Sequence, residues 1–172
     1  TTATRPLAAE LVGIGFCTEE RKAWYVPTNG NLGRKKVLDA LKYLFKNSGA
    51  KFFGHNLKYD WHILMNEGIC IDNIGFDTII ASYLLNSHSR QHSLDALSLE
   101  YFGKVKIPIS DLIGKGKNAI TMREVSLDQA CRYCCEDADY TWRLKKIFEK
   151  ELEKRGLEKL FYELELPLLR VL

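Results

Sequence analysis

The sequence predicts a single α/β domain in which a small mixed sheet is flanked by helices. Its 172 residues are enough for one ordinary domain, and 46% hydrophobic against 27% charged residues is typical of a packed chain. Strand-like segments lie early in the chain, whereas segments with helical spacing dominate its second half. No glycine-rich phosphate loop follows a strand, so the sequence does not indicate a nucleoside-triphosphate-binding fold.

The first half of the chain contains the predicted strands. Residues 11–18 and 23–27 are β-rich and apolar, and the polar turn between them predicts a hairpin. Residues 36–45 carry apolar side chains at helical spacing. Residues 51–54 form a short apolar segment that predicts a further strand leading into a helix.

Helices fill the rest of the chain. They are predicted over residues 59–66, 76–85, 93–101, 126–154 and 157–172. Gly103 is a stop signal for the third of these, and Ser126 with Gln129 predicts a capping box at the start of the long one. Pro167 is expected to break the last helix. The basic, glycine-containing residues 104–118 predict a loop with a short turn.

Charge and composition narrow the classes of function only a little. The formal net charge is +3, which is too mild to indicate nucleic-acid binding by itself. No apolar run approaches the roughly 20 residues of a membrane-spanning helix, and the N-terminus has no signal pattern, so we expect a cytoplasmic protein. Five cysteines are expected to be reduced structural thiols, since Cys131, Cys134 and Cys135 lack a second ligand pair for zinc.

Two segments contain residues that could do chemistry. Asp60 lies at a strand-to-helix junction, and Tyr133 and Asp137 are four residues apart in the capped helix, on one face. A carboxylate can hold a divalent metal, and a phenol can orient a water for attack on a phosphodiester. Each signal is weak alone, because an Asp at a helix start is usually a cap and a Tyr–Asp pair is usually a packing or solvated feature.

Several motifs in sequence order resemble a known family. The strings GHNLKYD, GFDTIIASYLLNS, HSLDALSLEYFG, GKGKN and RYCCEDADYTWRL are similar to the 3′–5′ exonuclease (proofreading) domain of bacterial DNA polymerase I. The tail LFYELELPLLRVL resembles the connection from that domain into the polymerase domain. The resemblance implies an RNase H-like fold over residues 1–156 and the start of the connection over residues 157–172. It also implies a DEDD-type exonuclease of the tyrosine subclass.

The resemblance assigns roles to particular residues. Members of the family use four carboxylates to hold two divalent ions, Mg²⁺ or Mn²⁺, and Asp60 and Asp137 match the third and fourth carboxylates. Tyr133 matches the tyrosine that positions the attacking water. Four positions match residues that line the cleft or lie near the DNA strand: Asn56, Tyr59, His55 and Gln91. The implied substrate is a single-stranded 3′ end of DNA, and the implied processes are DNA replication and repair. The resemblance also implies a polymerase domain in the same parent chain and a monomeric protein.

The first motif of the family, D-x-E on the first central strand, does not occur in this sequence before Asn56. Because a sheet without its central strand would leave two rows of backbone groups unpaired, we expect an upstream strand in the natural protein. Three interpretations remain: an active proofreading exonuclease, a catalytically degenerate structural module of a polymerase I, and an RNA-processing exonuclease of the RNase D type. The polymerase-like tail argues against the third.

Other polar residues have plainer interpretations. Asp77 and Asp95 lie at helix starts, where capping or local hydrogen bonding is expected. Asp139 falls on the helix face opposite Asp137, and His92 is expected to be a structural hydrogen-bonding residue. Three loop lysines either contact phosphates or belong to a solvated loop: Lys104, Lys115 and Lys117.

Overall fold

Two short sheets and six principal helices make up the fold in the part of the chain that the structure describes. The computed structural model describes residues 1–3, 5–47 and 49–171, without the side chains of residues 7 and 47. The strands are β1 (Gly13–Glu19), β2 (Lys22–Pro27), β3 (Phe52–Gly54) and β4 (Ile74–Asp77). The principal helices are α1 (Arg34–Asn47), α2 (Leu57–Asn66), α3 (Thr78–Leu85), α4 (Leu94–Phe102), α5 (Ile109–Ile113) and α6 (Leu127–Lys154).

The predicted hairpin is confirmed. Strands β1 and β2 pair antiparallel, with Phe16 opposite Trp24. Arg21 adopts a left-handed conformation with φ 63° in the turn, and its backbone N–H donates to Asp139 Oδ1 at 2.5 Å. Because Asp139 belongs to α6, this bond ties the tip of the hairpin to the long helix.

Strand β4 corrects the prediction of a helix that begins at Phe76. Residues 74–77 are extended and pair in parallel with β3, so that Phe53 lies opposite Phe76 and Gly54 opposite Asp77. The helix starts only at Thr78, because Asp77 is extended and its side chain accepts from the backbone N–H of Ile79 at 2.8 Å. A run of four residues carries too little periodicity to separate a strand from a helix start.

The long helix α6 packs against both sheets and contributes Leu144, Phe148 and Leu152 to one of two cores. It contacts both strands of the hairpin as well as β3, α3 and α4. The first core lies beneath the hairpin and consists of Ala9, Leu11, Val37, Leu41, Phe45, Ile63, Leu64, Ile69 and Ile71. The second consists of Phe76, Ala81, Leu85, Leu97, Leu144, Phe148, Leu152 and Phe161. This packing fixes which side chains of α6 face the end of β3.

The helix ends follow their sequence signals, whereas the loop after α4 holds more structure than predicted. Ser126 Oγ accepts from the backbone N–H of Gln129 at 3.4 Å and donates to its side-chain oxygen at 2.8 Å, so the cap is confirmed. Gly103 ends α4 with φ 62°. Residues 104–118 contain the short helix α5 and a 3₁₀ turn, Gly116–Asn118.

The C-terminal segment runs as helical turns through Pro167 rather than breaking there. It comprises α7 (Glu158–Leu160), a π-helical stretch (Phe161–Glu165) and α8 (Leu166–Leu168), so the predicted break was wrong. Proline is tolerated in a first helical turn, and Pro167 lies in the first turn of α8. Phe161 is fully buried, with its ring centroid 4.6 Å from that of Phe76. The predicted boundary between residues 156 and 157 stays a prediction, and residue 172 lies outside the described part.

Candidate active site

Asp77 holds together the junction where the candidate site begins. Its buried carboxylate accepts from the backbone N–H of Leu57 at 2.7 Å and of Asn56 at 3.2 Å, in addition to its bond with Ile79. The predicted capping role is therefore confirmed. The same carboxylate also receives the first amides of α2, so it fixes the turn from β3 into that helix.

Asp60 projects from the first turn of α2 into a crowded but water-accessible recess. Crowding by surrounding protein raises the pKa of Asp60 to about 7, and the negative charges of Asp77 and Asp137 add to this rise. More than a third of the residue is nevertheless exposed. Water that reaches the carboxylate moderates the rise in pKa but does not reverse it, because two other carboxylates share the recess.

Tyr133 and Asp137 occupy the face of α6 that is turned toward this recess. Burial raises the pKa of Asp137, and the nearby ammonium of Lys106 offsets part of that rise. Burial and the charge of Asp137 raise the pKa of Tyr133 to about 12, so the phenol is neutral near pH 7. A neutral phenol can donate a hydrogen bond to a water and accept one, but it does not act as a base.

Lys106 is a site residue that the sequence did not reveal. Its side chain is 2% exposed, and its ammonium contacts Asp137 Oδ1 and lies 3.1 Å from Asp95 Oδ1. It also lies 5.1 Å from the centre of the Tyr133 ring. Burial opposes the charged form, but Asp137 and Asp95 raise the pKa of Lys106 overall, so it is a cation. Only folding brings this loop lysine to α6, and no local pattern marks it.

The same ion pair changes the interpretation of Asp95. Ser93 caps α4 by accepting from the backbone N–H of Ala96 at 3.3 Å, so Asp95 is not the cap. Asp95 lies in the first turn of the helix, and its carboxylate pairs with Lys106. The expectation of capping was wrong here because two candidate caps stood close together and the earlier one took the role.

The predicted strand-contacting residues lie around the same junction. Asn56 is exposed in a left-handed conformation with φ 65°. Tyr59 Oη donates to the carbonyl of Ala3 at 2.5 Å. His55 Nδ1 lies 2.9 Å from Thr78 Oγ1, and burial lowers the pKa of His55 to about 4. Gln91 is exposed on the loop before α4. Their contacts with DNA stay predictions.

Two residues behave as their plain interpretations require. His92 is buried, with Nδ1 2.8 Å from Ser82 Oγ and Nε2 3.0 Å from the carbonyl of Ser89, so its predicted structural role is confirmed. Asp139 accepts from Arg21 in the hairpin turn, away from Asp137. Its predicted separation from the candidate site is confirmed.

The cysteines form no disulfide in the described structure. Cys131 and Cys135 have their sulfur atoms 3.9 Å apart, and all five cysteines are free thiols. Within residues 1–3, 5–47 and 49–171, no group of three His, Cys, Asp or Glu side chains is arranged to hold a metal. Asp60 and Asp137 are the carboxylates that could contribute to a metal site. The ion pair between Lys106 and Asp137 Oδ1 shows that this oxygen is placed to contact a cation.

None of the helices in the described part of the chain is long and apolar enough to cross a bilayer.

A sequence profile of the 3′–5′ exonuclease family matches residues 1–153. The chain belongs to this family of exonuclease domains. Exonuclease domains of this family use divalent metals. The resemblance inferred from the separated motifs is thus confirmed.

Curated relatives of this exonuclease domain include bacterial DNA polymerases. DNA polymerase I of Pseudomonas aeruginosa is 34% identical over 182 residues, which cover 100% of this chain and 20% of that protein. DNA polymerase I of Chloroflexus aurantiacus is 34% identical over 181 residues, which cover 99% of this chain and 19% of the relative. The chain therefore spans about a fifth of the length of these relatives, whose polymerase domain lies in the same chain.

Solved structures support the fold. Brucella melitensis NrnC with bound Mg²⁺ superposes with a TM-score of 0.65 at 20% identity, covering 99% of this chain and 78% of that one. At this identity the likeness speaks for the fold alone. Together with the profile match, it confirms the RNase H-like α/β class.

Proposed function

We propose that this exonuclease domain removes 3′-terminal nucleotides from DNA by hydrolysis, as the proofreading activity of a family A DNA polymerase. One observation carries the proposal: Asp60 and Asp137, from different helices, lie close enough for their charges to interact, and Tyr133 lies one turn from Asp137. The family match and the polymerase relatives support the substrate class.

Asp60 and Asp137 would hold the divalent ions, Mg²⁺ or Mn²⁺, for which carboxylate oxygens are the preferred ligands. When bound, two such ions supply charge stabilisation for both the attacking and the leaving oxygen of a phosphodiester displacement. Tyr133, whose phenol is neutral near pH 7, would orient the attacking water by hydrogen bonding. Asp77 keeps the first turn of α2 in place, so that Asp60 holds its position.

The 3′-terminal nucleotide would lie along the β3–α2 junction. Asn56 and Tyr59 would line its cleft, and His55 and Gln91 would lie near the strand. Because the low pKa of His55 keeps its ring neutral, His55 would offer a hydrogen bond rather than a positive charge. Exposed Lys115 and Lys117 are available to pair with phosphates farther along the strand.

Two carboxylates are too few for a two-ion centre, so the remaining pair must come from elsewhere. Among the described residues, β1 pairs only with β2 and β3 only with β4. Each sheet therefore has an edge at which a further strand can pair. We place the missing D-x-E pair on such a strand in the natural protein, which would join the two sheets. A strand there without acidic residues would favour the degenerate structural module.

The test is release of 3′-terminal nucleotides from a mismatched primer by the full natural chain with Mn²⁺. Asp137→Ala is expected to lower the rate by at least about a hundredfold, because it removes a ligand from the ion centre. Asp139→Ala is the matched control, since it removes the same side chain two residues away on the opposite helix face. It is expected to retain most of the rate.

Equal rates for the wild type and Asp137→Ala would contradict the proposal. So would the absence of cleavage by a wild-type chain whose polymerase activity is intact, which would indicate the degenerate structural module instead.

A further inference from the structure

Lys106 is held in its buried position from two directions. It lies in the loop between α4 and α5, and the backbone N–H of the next residue, Ile107, donates to Glu136 Oε2 at 2.8 Å. Glu136 is the neighbour of Asp137 on α6. The loop is therefore anchored to the helix beside the candidate ligand, and the lysine side chain is directed to it rather than to solvent.

The ammonium of Lys106 occupies the position that a cation at Asp137 would take. It contacts the Oδ1 atom of Asp137, lies 3.1 Å from Asp95 and faces the Tyr133 ring. These are an acidic oxygen pair and an aromatic face, both of which attract positive charge. A buried ammonium is costly without such partners, so the pairing keeps Lys106 in place.

Two cations that contact the same carboxylate oxygen repel each other, because they lie only a few ångströms apart. A divalent ion that takes Asp137 Oδ1 as a ligand therefore either binds against the charge of the ammonium or drives the ammonium away, and the free energy of that repulsion or displacement is subtracted from its binding. The four-carbon side chain of Lys106 is flexible, so its ammonium can withdraw toward Asp95. The Asp95 side chain is 70% exposed, and its Oδ1 atom already lies 3.1 Å from the ammonium.

We propose that Lys106 is a built-in counter-ion that competes with the divalent metal for Asp137 and weakens metal binding at this ligand. The inference rests on the proposed function, because it assumes that Asp137 is a metal ligand. In the metal-free chain the lysine balances the charge of Asp137, and in the loaded chain it is paired with Asp95 alone.

Titration of the full natural chain with Mn²⁺, monitored by calorimetry, tests whether Lys106 weakens metal binding. Lys106→Met is expected to lower the Kd of the exonuclease site by about tenfold, since a charge-assisted contact no longer has to be broken. Lys106→Gln provides a second neutral side chain if the methionine variant does not fold. Lys106→Arg keeps the positive charge and should bind Mn²⁺ as the wild type does.

Lys104→Met is the matched control for net charge, because Lys104 is exposed two residues away in the same loop. It is expected to leave the Kd unchanged. A double variant, Asp137→Asn with Lys106→Met, tests whether the gain in Mn²⁺ affinity depends on Asp137. We expect the double variant to show no gain in affinity over Asp137→Asn alone.

The outcomes separate this inference from the function on which it rests. Unchanged Mn²⁺ affinity in Lys106→Met and Lys106→Gln, with weakened affinity in Asp137→Asn, would overturn the competition while leaving Asp137 as a ligand. Unchanged affinity in all three would overturn both the competition and the metal role of Asp137. An equal gain in Lys104→Met would reduce the effect to net charge and would also overturn the proposal.

Discussion

Asp60 titrates differently from an ordinary surface carboxylate. Its pKa is raised to about 7 by crowding and by the neighbouring charges of Asp77 and Asp137. The folded metal-free chain therefore binds this proton more tightly than the unfolded chain does. That stabilising proton is fully bound below about pH 4 and is lost as the pH rises through about 7.

Replacing Asp60 by Asn removes this titration. In metal-free buffer, the free energy of unfolding of the wild type, measured relative to Asp60→Asn, is expected to fall between pH 5 and pH 8. Denaturant unfolding at each pH gives the difference. The comparison with the variant is needed because His55, whose pKa is lowered to about 4, makes an opposite contribution in both proteins. A difference that is the same at pH 5 and pH 8 would contradict the raised pKa.

At the scale of elements, the approach of α6 to β1 depends on a glycine. A Cβ at Gly15 would lie 2.7 Å from Cys134 Sγ and 2.9 Å from the carbonyl oxygen of Cys134. Those distances are shorter than van der Waals contact, and the carbonyl belongs to the helix backbone, so the helix would have to move. Tyr133 lies next to Cys134, so the site would move with it.

Gly15→Ala is accordingly expected to reduce the free energy of unfolding by about 1–3 kcal/mol, the usual cost of overpacking. Denaturant titration measures this loss. Gly30→Ala is the matched control, because its nearest neighbour would be the Pro27 side chain at 3.2 Å, at the end of β2, rather than helix backbone. Equal losses in the two variants would indicate that the close packing of α6 on β1 is not the cause.

Local sequence patterns predicted most of the helices and strands. The elements that were missed depend on contacts between residues far apart in the chain or are too short to show a pattern. The hairpin, α1 and α6 follow from alternation, helical spacing and the Ser126 cap. Strand β4 is set by its pairing with β3 across the chain, and α5 is a single short turn, so neither leaves a clear periodic trace.

The candidate site divides in the same way. The motifs pointed to Asp60, Tyr133 and Asp137, and the structure shows that the charges of the two carboxylates interact. Lys106 was missed, because a lysine in a basic loop carries no sign of burial until that loop is anchored to α6. The role of Asp77 in fixing α2 also depends on a contact across 20 residues.

At the scale of the whole molecule, the described chain holds two sheets that α6 spans, and we propose that Asp60 and Asp137 are two of four metal-binding carboxylates. The match to polymerases about five times longer makes the arrangement of the full natural chain the central question. We propose that a further strand joins the sheets and that its acidic pair completes the site with Asp60 and Asp137.

The most direct test is a crystal structure of the full natural chain soaked in Mn²⁺, with anomalous scattering used to locate the ions. We predict anomalous density in contact with Asp60 and Asp137, with acidic side chains of a strand between β1 and β3 completing the ligands of the ions. Anomalous density absent from Asp60 and Asp137, in crystals whose polymerase site holds Mn²⁺, would contradict it.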